Sequence, residues 1–167
     1  MTATDATRFI RTDSGYLMVL RQGDDVFAHL TGLMRGMDIP SASLVGLGFG
    51  HATFGFWDAQ QRRFDPRRFE NVEIGSLVGS LAWKDGEPLP HLHAVACDSS
   101  FAAYGGHLLA LEVGTGSMEL TITLHPHRLE RRTDGRTGAN VLDLCGVSTS
   151  GRVAPGSPGS PASRCPA

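Results

Sequence analysis

Hydrophobic and polar positions change period several times along this chain, and the changes mark its elements. Tyr16-Leu17-Met18-Val19-Leu20 is a short apolar run between Gly15 and Arg21, the pattern of a buried strand. Asp24 is placed to cap a helix whose apolar residues Val26, Phe27, Leu30, Leu33, Met34 and Met37 recur every three or four positions. That stripe is expected to pack on a sheet, and Asp38-Ile39-Pro40-Ser41 to end the helix. Ala42 to Trp57 then reads as one long strand, bent or bulged at its glycines. Gln61 is followed by residues 62–70, an edge strand guarded by charge and proline, and Val72 to Trp83 supplies the next strand. Lys84-Asp85-Gly86-Glu87 is a hairpin turn into Pro88 to Cys97. After the turn formers Asp98-Ser99-Ser100 come Leu108 to Glu112, a kink at Gly114-Thr115-Gly116, and the alternating strand Met118 to Leu124. The count is about six or seven strands and one principal helix.

Both ends of the chain differ in character from this body. Residues 1–7 are small and polar, which predicts a frayed tail. Residues 129–138 are polar and turn-rich, and Val141-Leu142-Asp143-Leu144 forms a short apolar latch expected to pack back on the body. Residues 148–167 are rich in Ser, Gly and Pro and cannot bury enough apolar surface to order themselves. One domain over 8–147 remains, and a chain of 167 residues is long enough to build its core without staples.

Composition narrows the partners. The net charge is −2 and the sequence pI about 6.4, so no global basic field favours nucleic acid. Cys97, Cys145 and Cys165 are odd in number and widely spaced, which fits reduced thiols and a cytoplasmic location. The N-terminus lacks a signal pattern, and no apolar run reaches membrane-spanning length, so no membrane partner is expected.

Candidate chemistry centres on Pro90-His91-Leu92-His93-Ala94. On a strand His91 and His93 share a face, their Cα atoms about 6.6 Å apart at about 3.3 Å per residue. A return strand opening at Gly105-Gly106 would carry His107 back beside them. Three neutral imidazoles with an open fourth position suit zinc in a catalytic or exchangeable site. The plainer alternative is a pair of partly exposed polar residues. His125-Pro126-His127 straddles a proline at a strand end and lacks a third ligand, and His29 falls at the edge of the helical stripe, where it reads as structural or solvated. Gly46-x-Gly48-x-Gly50 is followed by aromatic, β-like sequence rather than by the helix that a dinucleotide loop requires. Arg62, Arg63, Arg67 and Arg68 are interleaved with Asp65 and Glu70, so a solvated edge competes with a DNA-binding track.

Taken in order, these pieces resemble the plant and prokaryote conserved (PPC) domain in its prokaryotic stand-alone form. The match runs from about Gly15 to Leu144. Its marks are Gly15-Tyr16-Leu17, Arg21-x-Gly23-Asp24-Asp25-Val26, Ala52-Thr53-Phe54-Gly55, Val72-Glu73-Ile74, Asp85-Gly86 to His91-Leu92-His93-Ala94, Gly105-Gly106-His107-Leu108, and Leu129-Glu130-Arg131-Arg132 to Leu142-Asp143-Leu144. The resemblance implies an α+β fold, a mainly antiparallel sheet wrapped around a helix, assembled as a homotrimer. It also implies zinc on His91, His93 and His107, and places an acid at Glu73, either to support the metal or to hydrogen-bond a neighbouring strand.

Family members are often labelled DNA-binding, but this chain has no Arg-Gly-Arg-Pro hook of the plant relatives. A DNA role would need a local patch, to which Arg131, Arg132 and Arg136 would add in a trimer. Three functions are therefore in view: a zinc-dependent small-molecule binder or hydrolytic or lyase enzyme, a DNA-associated protein, and an oligomerisation module with structural zinc.

Overall fold

The structure is a computed structural model and describes residues 7–144. Eight strands and one helix follow in the order β1 (Phe9–Thr12), β2 (Gly15–Arg21), α1 (Val26–Gly36), β3 (Ser41–Asp58), β4 (Arg63–Lys84), β5 (Glu87–Cys97), β6 (Ala103–His125), β7 (Glu130–Thr133) and β8 (Asn140–Asp143). The strands form one sheet in the order β1-β2-β6-β3-β4-β7-β8, with β5 bridging β4 and β6. Every pairing is antiparallel except the short bridge of β4 to β7. The fold is mostly β with one helix, in keeping with the α+β class that the resemblance implied, and has eight strands where the pattern gave six or seven.

The extra strands come from the ends. Phe9–Thr12 forms a hairpin with β2, and the polar stretch after Leu129 forms the hairpin β7–β8. Against expectation, Val141 and Leu144 do not pack back as an apolar latch; they are exposed, and the hairpin is held by its pairing and by Arg132 on Asp143 at 2.6 Å. Residues 62–70 and 72–83 merge into the single strand β4. Its first half pairs with β3 alone and is an edge, as its charges anticipated. The tails at 1–6 and 145–167, with Cys145 and Cys165, lie outside the described residues.

Alternation builds the core. Tyr16, Met18 and Leu20 of β2 and Met118, Leu120 and Ile122 of β6 point inward, whereas Leu17 and Val19 are exposed, so β2 is buried on one face only. Helix α1 lays Val26, Leu30, Leu33 and Met34 into this core, against β5 and β6. Its cap is Asp25 rather than Asp24: Asp25 Oδ1 accepts from the Ala28 N–H at 2.9 Å. Asp24 instead receives Arg8 Nε at 2.7 Å and the Arg21 N–H at 2.9 Å. Three of the four register shifts in β3 fall at its glycines, as expected, and the fourth lies between Thr53 and Phe54. No helix of the described residues is long and apolar enough to cross a membrane.

Two hairpin turns bound β5, the strand that carries His91 and His93. Asp85 and Gly86 both have positive φ, 52° and 83°, and join β4 to β5 in the tight turn their sequence predicted. At the other end of β5, Asp98 Oδ1 accepts from the N–H groups of Ser100 and Ala102 at 2.8 and 3.1 Å. Tyr104 Oη donates to Asp98 Oδ2 at 3.0 Å, tying this turn to the start of β6. The pairings β3–β4, β4–β5, β5–β6 and β6–β3 close on themselves, and the candidate site lies where they close.

Candidate metal centre

His91 and His93 emerge from the same side of β5, opposite Ser80 and Val78 of β4. His107 is opposite His93 on one side and Gly55 of β3 on the other, at the point where β6 leaves β5 and joins β3. The three rings therefore meet. Their centroids are 5.2, 4.9 and 5.3 Å apart, and one nitrogen from each lies within 4.8 Å of the other two. His91 Nε2 and His93 Nε2 are 3.2 Å apart. That is a hydrogen-bond separation, and it is also close to the ~3.3 Å between two nitrogens each about 2.0–2.1 Å from one tetrahedral zinc.

Protonation favours the ligand role. Burial, and after it the charges of Arg131, His107 and His93, lowers the pKa of His91 from 6.5 to about 4. Burial likewise lowers that of His107, with His93 and Arg131 adding to it. Both rings are therefore neutral near pH 7 and keep a lone pair free. Among the described residues this is the one cluster of three or more His, Cys, Asp or Glu groups that could hold a metal ion. His29, 3.6 Å from Asp24 Oδ1, and His125 and His127 stand outside it.

The histidines line a cavity of about 1020 Å³. Its walls are aromatic. Phe64 stacks on His107 at 4.7 Å with the planes 5° apart, Trp57 meets Phe64 edge-on at 4.9 Å, and Phe69 stacks on Tyr104 at 4.6 Å. Leu89, Pro90 and Gly55 complete the apolar part. Trp57 is steadied by its indole N–H, which donates to the Thr137 carbonyl at 3.1 Å.

Arg131 is the residue that sequence reasoning misplaced. It lies on the cavity wall, only 5% exposed, and donates to Ser80 Oγ at 2.6 Å, directly across the ladder from His91. The sequence signal was present in Arg131-Arg132 on a strand, where one of two neighbours must face inward.

Glu73 is not brought to the histidines. It is exposed, paired with Phe49 and Cys97, and five residues along β4 from Val78, about 16 Å at about 3.3 Å per residue. Asp65 is the carboxylate on the cavity wall.

The candidate DNA arginines also part company. Arg62 donates to the Gly135 carbonyl at 3.0 Å, Arg68 pairs with Glu70 at 2.5 Å, Arg67 lines the cavity and Arg63 is exposed.

The geometry thus defines a mostly β protein with one helix and a tri-histidine cleft. The Plants and Prokaryotes Conserved (PCC) domain model matches residues 10–125, and the chain belongs to that family. No curated protein sequence matches it significantly. Among solved structures, one described as a "putative DNA-binding protein" from Ralstonia eutropha JMP134 is 51% identical, covering 82% of this chain and 96% of its own, with a TM-score of 0.80. A metal-containing protein from Archaeoglobus fulgidus is 26% identical over 83% of this chain and 98% of its own, with a TM-score of 0.70. A plant- and prokaryote-conserved protein from Pyrococcus horikoshii, 23% identical, covers 86% and 99% with a TM-score of 0.70 and shares the fold.

Proposed function

We propose that this protein holds zinc on His91, His93 and His107, with one position open to the aromatic cavity, and binds a small organic molecule there. The observation that carries the proposal is the convergence of three imidazole nitrogens within 4.8 Å on the wall of that cavity. Imidazole donors without thiolates suit zinc, and three protein ligands leave a place for a water or ligand. When bound, zinc would supply Lewis acidity, polarising a ligand oxygen or lowering the pKa of a bound water to about 7.

The chain's own groups prepare the place. Phe64 fixes the plane of the His107 ring, Ser80 anchors Arg131 beside His91, and the aromatic walls exclude water from the apolar part of a ligand. The family relative from Archaeoglobus, described as metal-containing, is in keeping with this reading. The domain is read as 8–147, assembled as a homotrimer. Self-association has its support in apolar side chains left exposed on the outer face of the sheet.

Metal analysis of the purified protein tests the proposal. Wild type should carry about one zinc per chain, and His91→Ala, His93→Ala and His107→Ala should each lose most of it. Equal zinc in all four proteins would defeat it.

DNA association is the second reading, favoured by the name of the 51% identical relative. On this chain Arg62 and Arg68 already have protein partners, and Arg131 is buried, so the patch is thin. A gel shift that weakens steeply with salt would support it, and the absence of any shift at low ionic strength would remove it.

A further inference from the structure

We infer that the ligand of this cavity is an organic monocarboxylate, its carboxylate held by Arg131 beside the three histidines and its apolar body lying against Phe54, Trp57, Phe64 and Phe69. The inference rests on the cavity being a ligand site, as proposed above, and names what enters it.

Arg131 carries the argument. A guanidinium has five N–H donors and stays charged even where burial lowers its pKa, as it does here. Within the described residues its one hydrogen-bond acceptor is Ser80 Oγ, its Nε is enclosed without a partner, and no carboxylate pairs with it. A buried cation without a counter-anion is costly to maintain. This one lines a cavity, so its anion can arrive from outside.

The balance of charge around the cavity agrees. Arg67 and Arg131 outnumber Asp65 among the charged residues lining the cavity, and a divalent ion on the histidines would add further positive charge. One deeply placed guanidinium matches a planar monoanion. A phosphate dianion calls for more donors, commonly a helix N-terminus, and α1 contributes nothing to the walls. The aromatic walls require the rest of the ligand to be apolar, and a cavity of about 1020 Å³ leaves room for a ring or a branched chain.

Calorimetric titration of the zinc-loaded full chain with phenylacetate, phenylacetamide and acetate tests this. Phenylacetate should bind about tenfold or more tightly than phenylacetamide, because only the acid brings a negative charge and two acceptor oxygens to the guanidinium. It should also bind more tightly than acetate, which cannot reach the aromatic walls. In Arg131→Gln the preference for acid over amide should fall at least about fivefold, with zinc content unchanged. Equal binding of acid and amide to wild type, or an unchanged preference in Arg131→Gln, would overturn the inference.

Should Arg131→Gln fail to fold, Arg131→Lys decides. The charge remains but the fork is lost, so phenylacetate should weaken at least about threefold while the amide does not change. No change in either would overturn it. Zinc is measured in every sample. Selection of phenylacetate through Arg131 in a chain without zinc defeats the metal reading and leaves this one, whereas full zinc without selection does the reverse.

Discussion

His91 is held neutral by its surroundings, burial first and then the charges of Arg131, His107 and His93, which together bring its pKa down to about 4. In the unfolded chain the same imidazole takes up a proton near 6.5. Between these values the unfolded state binds more protons, so stability is full above 6.5 and is lost as pH falls toward 4. Urea unfolding of the metal-free protein across that window should show this fall, and His91→Gln should flatten it. An identical pH slope in the two proteins would contradict the account. Not every residue here was equally readable from sequence. His91 and His93 were legible because strand alternation places them together, and His107 because a polar turn and Gly105-Gly106 announce a hairpin. Arg131 and Arg132 look alike in the sequence. Only the bridge of Glu130 to Trp83 fixes which of the two turns inward, and that is a long-range contact no local pattern contains.

Among the elements, β5 owes its position to glycines in its neighbours. A Cβ on Gly79 would come within 2.4 Å of the His91 carbonyl oxygen and 2.5 Å of Leu92 Cδ2, and one on Gly105 within 2.7 Å of the Ala94 carbonyl oxygen. The histidine strand can sit this close to β4 and β6 only because those positions lack side chains. Gly79→Ala should therefore cost about 1–3 kcal/mol of stability and loosen zinc, read as a lower melting temperature and faster loss to a chelator. Wild-type behaviour in both would show that β5 does not depend on this contact. Element boundaries were less legible than element types. Residues 62–70 and 72–83 read as two strands because Asn71 separates them, yet Asn71 adopts a left-handed φ of 53° and bends one continuous strand. The register slips there, three steps of β4 from Phe69 to Val72 facing two steps of β3 from Ala52 to Gly50. A bulge and a chain break give the same local sequence signal.

For the whole molecule, the outer face of the sheet is the feature a single chain leaves unexplained. Val45, Leu47, Val78 and Val95 are 57, 54, 47 and 46% exposed. A cross-strand row runs Leu17, Thr121, Val45, Val78, His93, from the far side of the sheet to the metal site. Covering this row with further copies of the chain accounts for its apolar character. Val78→Lys should shift the mass measured by light scattering from that of the proposed trimer toward that of a monomer, and an unchanged mass would place the proposed interface elsewhere. The number of copies could not be read from alternation, since a strand with one apolar face buried and the other half covered looks in sequence like one buried throughout, as β2 did.

Zinc-edge X-ray absorption on the purified protein addresses the central claim most directly. The account predicts an ion bound by three imidazole nitrogens and one further light atom at about 2.0–2.1 Å. A sulfur shell near 2.3 Å, or fewer than three imidazoles around the ion, would contradict it.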